Sequence, residues 1–237
     1  MSHHYIQFKD VDYSYPGGGK KALDGVSFRI DHGEKVALLG VNGAGKSTLL
    51  LHTNGLLLPQ SGEVNVGDVP VGKKTLPIVR QNVGMVFQNP DDQLFMSTVE
   101  EDVAFGPANM GLPEEEIRRR VSSALHAVGA EDLANRSPWQ LSGGQKRRVA
   151  IATVLSMEPN ILVLDEPTSN LDWSARRQLI GLLKGFDHTI LVATHDLAMV
   201  NELCGRILVI DHGRIIADSD PGILERDERL RVMLGIE

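Results

Sequence analysis

Two kinds of hydrophobic pattern along the chain predict two kinds of β-strand. Residues 5–15, YIQFKDVDYSY, alternate apolar and polar positions, which is typical of a strand with one buried face. Residues 22–30, ALDGVSFRI, are the predicted partner strand, beyond a turn at Pro16-Gly17-Gly18-Gly19. In contrast, KVALLG, ILVLDE and TILVATHD are continuous apolar runs, which indicate short strands buried on both faces. The stretch ILVIDHGRIIAD predicts a hairpin that turns at His212-Gly213.

Helical patterns lie between these strands. A helix is predicted from Lys46 to Leu58, where Pro59 stops it. Another is predicted to begin near Pro113, because acidic residues fill its first turn. The apolar residues on one face of this second helix are Ile117, Val121, Leu125 and Val128. Helical sequence dominates residues 97–157, so the chain is predicted to be an α/β protein with an inserted helical subdomain and a mostly parallel core sheet.

Composition narrows the functional classes. The chain has 237 residues, of which 42% are hydrophobic, so it can bury a sizeable core. Its formal net charge of -7 and lack of a basic run argue against binding nucleic acid through the phosphate backbone. Cys204 is the only cysteine, which excludes an internal disulfide and favours a reducing compartment; we expect it to be a small core residue. No apolar run reaches ~18 residues, so a soluble chain is expected.

The histidines do not predict a metal site. His3 and His4 are adjacent near the N-terminus, and the other six of the eight are scattered without the spacing of metal ligands. We interpret them as tail or surface residues.

A glycine-rich turn follows the first buried strand. Gly40-Val41-Asn42-Gly43-Ala44-Gly45-Lys46-Ser47 fits the phosphate-loop pattern G-x-x-x-x-G-K-[ST]. Glycines let successive backbone N–H groups converge on an anion, and the following helix adds the positive end of its dipole. Lys46 can reach the terminal phosphates, and the Ser47 hydroxyl can hold Mg²⁺. The turn therefore predicts a nucleoside triphosphate site, for a kinase, a GTPase or an ATPase.

A second apolar strand ends in two acidic residues. Asp165 at a buried strand end can hold the shell of Mg²⁺, and the adjacent Glu166 can polarise an attacking water. The guanine-reading tetrapeptide N-K-x-D is absent from the sequence, which disfavours a GTPase.

A further phosphate-binding element precedes the acidic pair. In Leu141-Ser142-Gly143-Gly144-Gln145, the Ser-Gly-Gly start of a helix offers exposed N–H groups, a hydroxyl and a dipole. One chain thus carries two half-sites for phosphate. Two copies arranged head-to-tail would each complete the other's pocket.

These motifs together resemble the ATP-binding cassette (ABC) ATPases, over essentially the whole length of the chain. The matching motifs, in the order of that family, are the phosphate loop Gly40–Thr48, Gln88, the signature Leu141–Gln145, Asp165-Glu166, the loop Ser169-Asn170-Leu171-Asp172, and His195. The resemblance implies the P-loop NTPase fold of the ABC type with an N-terminal antiparallel β part. It also implies a single domain, in which residues 1–88 and 158–220 form the nucleotide-binding core, 89–157 the helical and signature subdomain, and 221–237 a short tail.

The resemblance also implies roles for individual residues, with ATP and Mg²⁺ as ligands. Tyr15 matches the aromatic residue that stacks on adenine, and Tyr13 is the alternative. Gln88 would contact Mg²⁺ and the attacking water, and His195 would contact the γ-phosphate. Catalysis is assigned to Glu166, His195, Gln88 and Lys46, and the metal to Ser47, Gln88 and Asp165. The nucleotide contacts are assigned to Tyr15, Gly40, Asn42, Gly43, Ala44, Gly45, Lys46, Ser47, Thr48, Ser142, Gly143, Gly144, Gln145 and Asp172.

One segment is similar to the ATPases of energy-coupling-factor (ECF) importers. Residues 83–113 read VGMVFQNPDDQLFMSTVEEDVAFGPANMGLP, and NPDDQLF with VAFGP matches the pattern of those ATPases. The similarity implies a peripheral subunit at the cytoplasmic face of the membrane. Its partners would be a transmembrane coupling protein, a substrate-binding membrane subunit and an identical or paralogous ATPase. Exposed Leu94, Phe95 and Met96 would suit a helix-in-groove contact, or would pack inside the helical lobe.

The transported solute is indicated only by resemblance. The opening MSHH, residues 188–215 and the ending LRVMLGIE look like the cobalt/nickel branch, with a biotin-type vitamin system as the alternative. A cytosolic ABC ATPase of translation or DNA repair is a further alternative, but such proteins usually carry tandem cassettes or long coiled-coil insertions. A small-molecule kinase would have no use for Leu141–Gln145.

Overall fold

The computed structural model describes residues 5–17 and 19–236. The opening MSHH, with His3 and His4, and Gly18 of the glycine turn lie outside the described residues. The strands are β1 (Ile6–Tyr13), β2 (Leu23–Ile30), β3 (Lys35–Leu39), β4 (Ser61–Val66), β5 (Val69–Pro70), β6 (Val83–Val86), β7 (Ile161–Asp165), β8 (Thr189–Ala193), β9 (Arg206–Asp211) and β10 (Arg214–Ser219). The helices are α1 (Lys46–Thr53), α2 (Leu76–Asn82), α3 (Val99–Asn109), α4 (Glu114–Ala127), α5 (Gly143–Leu155), α6 (Trp173–Lys184), α7 (Leu197–Leu203), α8 (Ile223–Arg226) and α9 (Glu228–Leu234).

The chain divides into two compact units, each built from separate segments. Unit 1 holds the described residues of Met1–Val83, Asn160–Asp165 and His188–Glu237. Unit 2 holds Gly84–Pro159 and Glu166–Asp187.

The first sheet of unit 1 is antiparallel and has the order β2-β1-β4-β5. Phe8 on β1 lies opposite Phe28 on β2, and the two rings stack with centroids 4.6 Å apart. The alternating pattern of β2 places its apolar residues inside, because successive side chains of a strand point to opposite faces. The predicted pairing of residues 5–15 with residues 22–30 is confirmed.

The second sheet of unit 1 contains β10-β9-β3-β8-β7 in that order. Strand β3 runs parallel to β8 and β9, β7 runs parallel to β8, and only β10 is antiparallel to its neighbour. Every residue of β7 and β8 is buried, which explains their unbroken apolar runs. The mostly parallel core sheet is therefore confirmed.

The hairpin between β9 and β10 turns where the sequence predicts it. His212 has φ 46° and Gly213 has φ 78°. Two consecutive positive φ angles match the right-handed twist of the flanking strands, as in a type I′ turn.

The predicted end of the first helix is wrong. Helix α1 stops at Thr53 and does not continue to Leu58. The chain leaves the helix at Asn54, and Gly55 follows with φ 69°, a left-handed conformation that commonly ends helices. A Cβ at Gly55 would overlap the Leu76 side chain, so the close packing of α2 also favours glycine here.

Unit 2 is mainly helical. Helix α3 begins with a capping box between Thr98 and Glu101, and α4 begins after Pro113, as predicted. Val121, Leu125 and Val128 of the predicted apolar face are buried. The predicted inserted helical subdomain is confirmed by α3, α4 and α5.

Two further expectations concern single side chains. Of the two alternatives for Leu94, packing inside the helical lobe is the one the structure shows, because Leu94 is buried and its backbone N–H donates to the Pro90 carbonyl. Phe95 is exposed and Met96 is half-buried.

Cys204 is buried, as expected of a core residue, and burial raises the pKa of its thiol to about 12. Among the described residues, no helix is both long and apolar enough to span a membrane.

Candidate functional site

The glycine-rich turn joins β3 to α1 in unit 1. Gly43 and Gly45 have φ angles of 80° and 115°, which residues with a Cβ rarely adopt. A Cβ at Gly45 would lie 2.6 Å from the Ala22 carbonyl oxygen, and one at Gly40 would overlap the Ile210 carbonyl oxygen. The loop thus needs glycine for conformation at some positions and for close packing at others.

The neighbouring hairpin also supports the loop. The Gly213 N–H donates to the Ala44 carbonyl at 2.9 Å. Val41, Asn42 and Gly43 are exposed, whereas Ala44 is buried below them. The exposed part of the loop is therefore free to present its N–H groups to an anion at the start of α1.

Lys46 folds back over this loop. Its ammonium donates to the carbonyl of Gly40 at 2.6 Å and to the carbonyl of Val41 at 3.2 Å. The positive charge is thereby held beside the exposed backbone. The Ser47 side chain is exposed one residue further along α1.

Tyr15 lies next to the same helix. Its hydroxyl is 3.2 Å from the Thr48 hydroxyl, and the residue is 46% exposed. Tyr13, the alternative, is half-buried, and its ring packs edge-on against His52 at 4.9 Å and against Tyr15 at 5.1 Å. Tyr15 is the more exposed of the two, as a residue that stacks on a base requires.

The carboxyl ends of three parallel strands bring further predicted residues of unit 1 to one sheet edge. Gly40 follows β3, Asp165 ends β7 opposite Ala193, and His195 lies two residues beyond β8. Ligands of parallel α/β sheets bind at this edge. Asp165 is buried, whereas His195 is exposed.

Ser47 and Asp165 have the donor chemistry of a magnesium site. Both offer oxygen atoms, one hydroxyl and one carboxylate, which are the ligands that Mg²⁺ prefers. The residues present therefore fit the ion. Among the described residues, no group of three or more His, Cys, Asp or Glu side chains could hold a metal ion.

The remaining predicted residues belong to unit 2. Glu166 directly follows Asp165 in the chain, is buried, and has φ 48°. A positive φ on a residue with a side chain stores strain of roughly 1–3 kcal/mol, and such strain is concentrated at functional sites.

The signature segment forms the start of a helix, where two side chains each accept a hydrogen bond from a backbone N–H group. The Ser142 hydroxyl accepts from the Gln145 N–H at 3.3 Å, and the Gln145 side chain accepts from the Ser142 N–H at 2.9 Å. This capping box defines the first turn of α5. A Cβ at Gly143 would meet open space, and one at Gly144 would meet only Leu171, at 3.7 Å. The two glycines therefore leave the helix start accessible.

Asp172 also caps a helix. Its carboxylate accepts from the Ala175 N–H at 2.8 Å at the start of α6. The nucleotide contact assigned to Asp172 stays a prediction.

Gln88 has an exposed side chain, and its backbone is held by a residue that the sequence did not single out. The buried Arg147 donates to the carbonyl oxygens of Phe87 and Gln88. Nothing in the sequence distinguishes Arg147, which lies between Lys146 and Arg148 directly after the signature.

Comparisons with known proteins agree on one family. The sequence profile of the ABC transporter family matches residues 23–169. An energy-coupling factor transporter ATP-binding protein, EcfA, of Methanothermobacter thermautotrophicus is 47% identical over 230 residues, covering 95% of this chain and 74% of that protein. The structure of cbiO1 from Clostridium perfringens, described as part of the ABC transporter complex cbiONQ, has a TM-score of 0.83 at 40% identity, covering 99% of this chain and 97% of its own.

A second solved structure adds a ligand state. It is a dimeric ATP-binding cassette in a post-hydrolysis state, bound to ADP and Pi, with a TM-score of 0.84 at 31% identity, covering 91% of this chain and 98% of its own. With the phosphate loop, the signature segment and the acidic strand end described above, these matches lead to one conclusion: the chain belongs to the ABC transporter family, as an ATP-binding and ATP-hydrolysing member.

Proposed function

We propose that this protein is the ATPase subunit of an ECF-type importer and that it energises uptake of cobalt or nickel. The observation that carries the ATPase assignment is the phosphate loop, whose exposed backbone and Lys46 lie at the sheet edge where Asp165 ends β7. The 47% identity with an energy-coupling factor ATPase supports the ECF assignment. The solute proposal is supported by the likeness to cbiO1, and a biotin-type vitamin is the second candidate.

The proposed chemistry assigns each residue a task. The loop N–H groups and Lys46 bind the triphosphate, and Tyr15 stacks on the adenine. Mg²⁺ would be held by Ser47, Gln88 and Asp165, and it would supply positive charge against the phosphates. Glu166 takes a proton from the attacking water, and His195 orients the γ-phosphate.

The proposed work cycle needs two ATPase chains. The accessible helix start at Ser142 and Gly144 binds the triphosphate held by the phosphate loop of a partner copy, identical or paralogous. ATP then favours the closed pair, because it binds that state more tightly than the open state. Hydrolysis removes the phosphate that both chains hold, so the pair loosens.

The proposed membrane partners dock on unit 2. Phe95 is 59% exposed, and its ring contacts the exposed Phe105 edge-on at 4.9 Å. An exposed aromatic pair suits the apolar face of a partner helix. We assign this surface to a transmembrane coupling protein, which itself binds a substrate-binding membrane subunit. The chain would then work as a peripheral subunit at the cytoplasmic face of the membrane.

Replacing Glu166 by glutamine tests the catalytic part of the proposal. We expect Glu166→Gln to bind ATP, to form a dimer that persists on size-exclusion chromatography with Mg²⁺-ATP, and to hydrolyse ATP ~100-fold or more slowly, as for loss of a general base. The exposed Glu225→Gln is the matched control and should behave as wild type. A Glu166→Gln protein with most of the wild-type rate would remove Glu166 from this role.

The solute is tested separately in membranes. Vesicles that contain this chain and its co-purified membrane partners should accumulate labelled Co²⁺ or Ni²⁺ with ATP, and the Glu166→Gln complex should not. Accumulation of biotin without either ion would favour the vitamin system. Co-purification with repair or ribosomal proteins and no integral membrane protein would contradict the transporter role.

A further inference from the structure

The segment that carries Gln88 is attached to the signature helix within unit 2. We define the glutamine loop as Phe87–Gln93, which follows β6. The helix is α5, whose N-terminus is Ser142. Three side chains link the two, and two of them come directly after the signature motif in the sequence.

Arg147 makes the link that buries a charged side chain. It is only 3% exposed, and its guanidinium donates to the Phe87 carbonyl at 2.8 Å and to the Gln88 carbonyl at 2.5 Å. A buried charge is costly unless polar groups satisfy it, and the flat guanidinium can hold two neighbouring oxygens at once. The carbonyls of Phe87 and Gln88 are therefore held in a narrow range of positions by α5.

Gln93 fastens the other end of the loop. Its side-chain oxygen accepts from the Phe87 N–H at 3.2 Å. Its amide nitrogen donates to the Ala150 carbonyl and to the Thr153 hydroxyl, both at 2.7 Å. One side chain thus closes the loop on itself and ties it to the middle of α5.

The third link is an ion pair near the surface. Lys146 donates to the Asp91 carboxylate at 2.5 Å. The Asp91 side chain is 47% exposed and that of Lys146 16%, so solvent partly screens this pair and we assign it little weight.

We infer that Arg147 is a positioning residue that fixes the Gln88 backbone to the signature helix, so that Gln88 and the phosphate-binding helix start at Ser142 move as one body. Arg147 lies in the second turn of α5, close to its capped N-terminus, and a hydrogen-bonded helix transmits displacement between the two points with little bending. The inference rests on the proposed function, because Gln88 matters only if it contacts Mg²⁺ and water. It extends that proposal by naming a residue outside the nucleotide site that sets where Gln88 lies.

The decisive experiment replaces Arg147 in the full chain and uses Arg148 as the matched control. Methionine has a similar length without donors, and lysine keeps the charge but loses the fork. Arg148 is the next residue of α5 and also donates to two backbone carbonyls, those of Val128 and Gly129, away from the glutamine loop. Arg148→Met therefore repeats the chemical change at a different loop.

Three readouts are expected to separate the variants. Arg147→Met should lower kcat for ATP ~10- to 100-fold with little change in KM, since a displacement of about 1 Å in a positioning group has this effect. It should also raise the Mg²⁺ concentration that gives half-maximal activity, and Arg147→Lys should recover part of both. Without nucleotide, amide hydrogen exchange of residues 86–93 should accelerate in Arg147→Met, whereas Arg148→Met should accelerate exchange near 128–130 instead.

A double variant tests whether Arg147 acts through Gln88. In a Gln88→Ala background, adding Arg147→Met should change kcat less than about twofold, because the positioned group is already gone. Full additivity of the two effects, or an unchanged Mg²⁺ dependence in folded Arg147→Met and Arg147→Lys, would overturn the inference. Wild-type and Glu166→Gln proteins measured alongside report on the proposed function itself, so its failure would be seen separately.

Discussion

Alanine at three phosphate-loop glycines separates backbone strain from steric overlap. Gly43 has φ 80° with nothing within 4 Å of an added Cβ, so Gly43→Ala introduces strain alone. Gly40 is not in the left-handed region, but its Cβ would overlap the Ile210 carbonyl oxygen, so Gly40→Ala introduces overlap alone. Gly45 has φ 115° and a Cβ position 2.6 Å from the Ala22 carbonyl oxygen, so Gly45→Ala introduces both.

The expected losses of unfolding free energy follow from these differences. Left-handed backbone with a side chain costs roughly 1–2 kcal/mol, and alanine recovers about 0.4–1 kcal/mol by restricting the unfolded chain. Gly43→Ala should therefore lose ~1 kcal/mol. Overpacking costs about 1–3 kcal/mol, which applies to Gly40→Ala, and Gly45→Ala should lose ~2–4 kcal/mol as the combination of both.

Urea unfolding followed by circular dichroism measures these losses, and titration with a fluorescent ATP analogue measures binding. We expect the order Gly43→Ala, Gly40→Ala, Gly45→Ala in decreasing stability. Binding should be weakest for Gly45→Ala, because the loop must move away from Ala22 and with it the start of α1. If Gly43→Ala lost as much stability as Gly45→Ala, or if Gly40→Ala lost none, the steric explanation of the loop would be refuted.

Two further predictions concern buried titratable groups. Burial raises the pKa of Asp102 above its ordinary value of 3.8, so the folded state holds this proton more tightly than the unfolded chain does. The contribution of Asp102 to stability therefore falls as pH rises through the raised pKa. Urea unfolding over a pH series that begins below 3.8 should show this fall in wild type and not in Asp102→Asn. Burial raises the pKa of Cys204 to about 12 from 9.0, which lowers its thiolate fraction about a thousandfold, so iodoacetamide should modify it only after unfolding. Equal pH dependence of the unfolding free energy in wild type and Asp102→Asn would contradict the first expectation. Rapid labelling of Cys204 by iodoacetamide in the native protein would contradict the second.

Features that depend on neighbours in sequence were predictable. The phosphate loop, the hairpin at His212-Gly213 and the helix that begins after Pro113 follow from local backbone preferences and capping chemistry. The continuous apolar runs of β7 and β8 likewise predicted strands buried on both faces, since such a run cannot leave a face in water. These elements could be predicted without knowing which residues pack against them.

One helix end was predicted wrongly, and the burial of one apolar segment stayed open. Helix α1 ends at Thr53 because the chain turns at Asn54 and Gly55 adopts the left-handed conformation, and the space beside Leu76 leaves no room for a Cβ at Gly55. Leu94 and Phe95 are adjacent and similarly apolar, yet one is buried and the other exposed, because the fold of the preceding turn aims them apart.

The sequence by itself determined the family of the protein, the strands, the glycine loop and the residue types that phosphate chemistry needs, because backbone conformation and anion binding are local properties. Only the tertiary structure decided that Arg147 is buried against the carbonyls of Phe87 and Gln88, 60 and 59 residues away along the chain. Nothing in a stretch of residues shows which distant carbonyls a buried guanidinium will find. Hydrogen bonds to these carbonyls offset the cost of desolvating the Arg147 charge only after the chain has folded. The link between Gln88 and the signature helix is therefore a property of the fold.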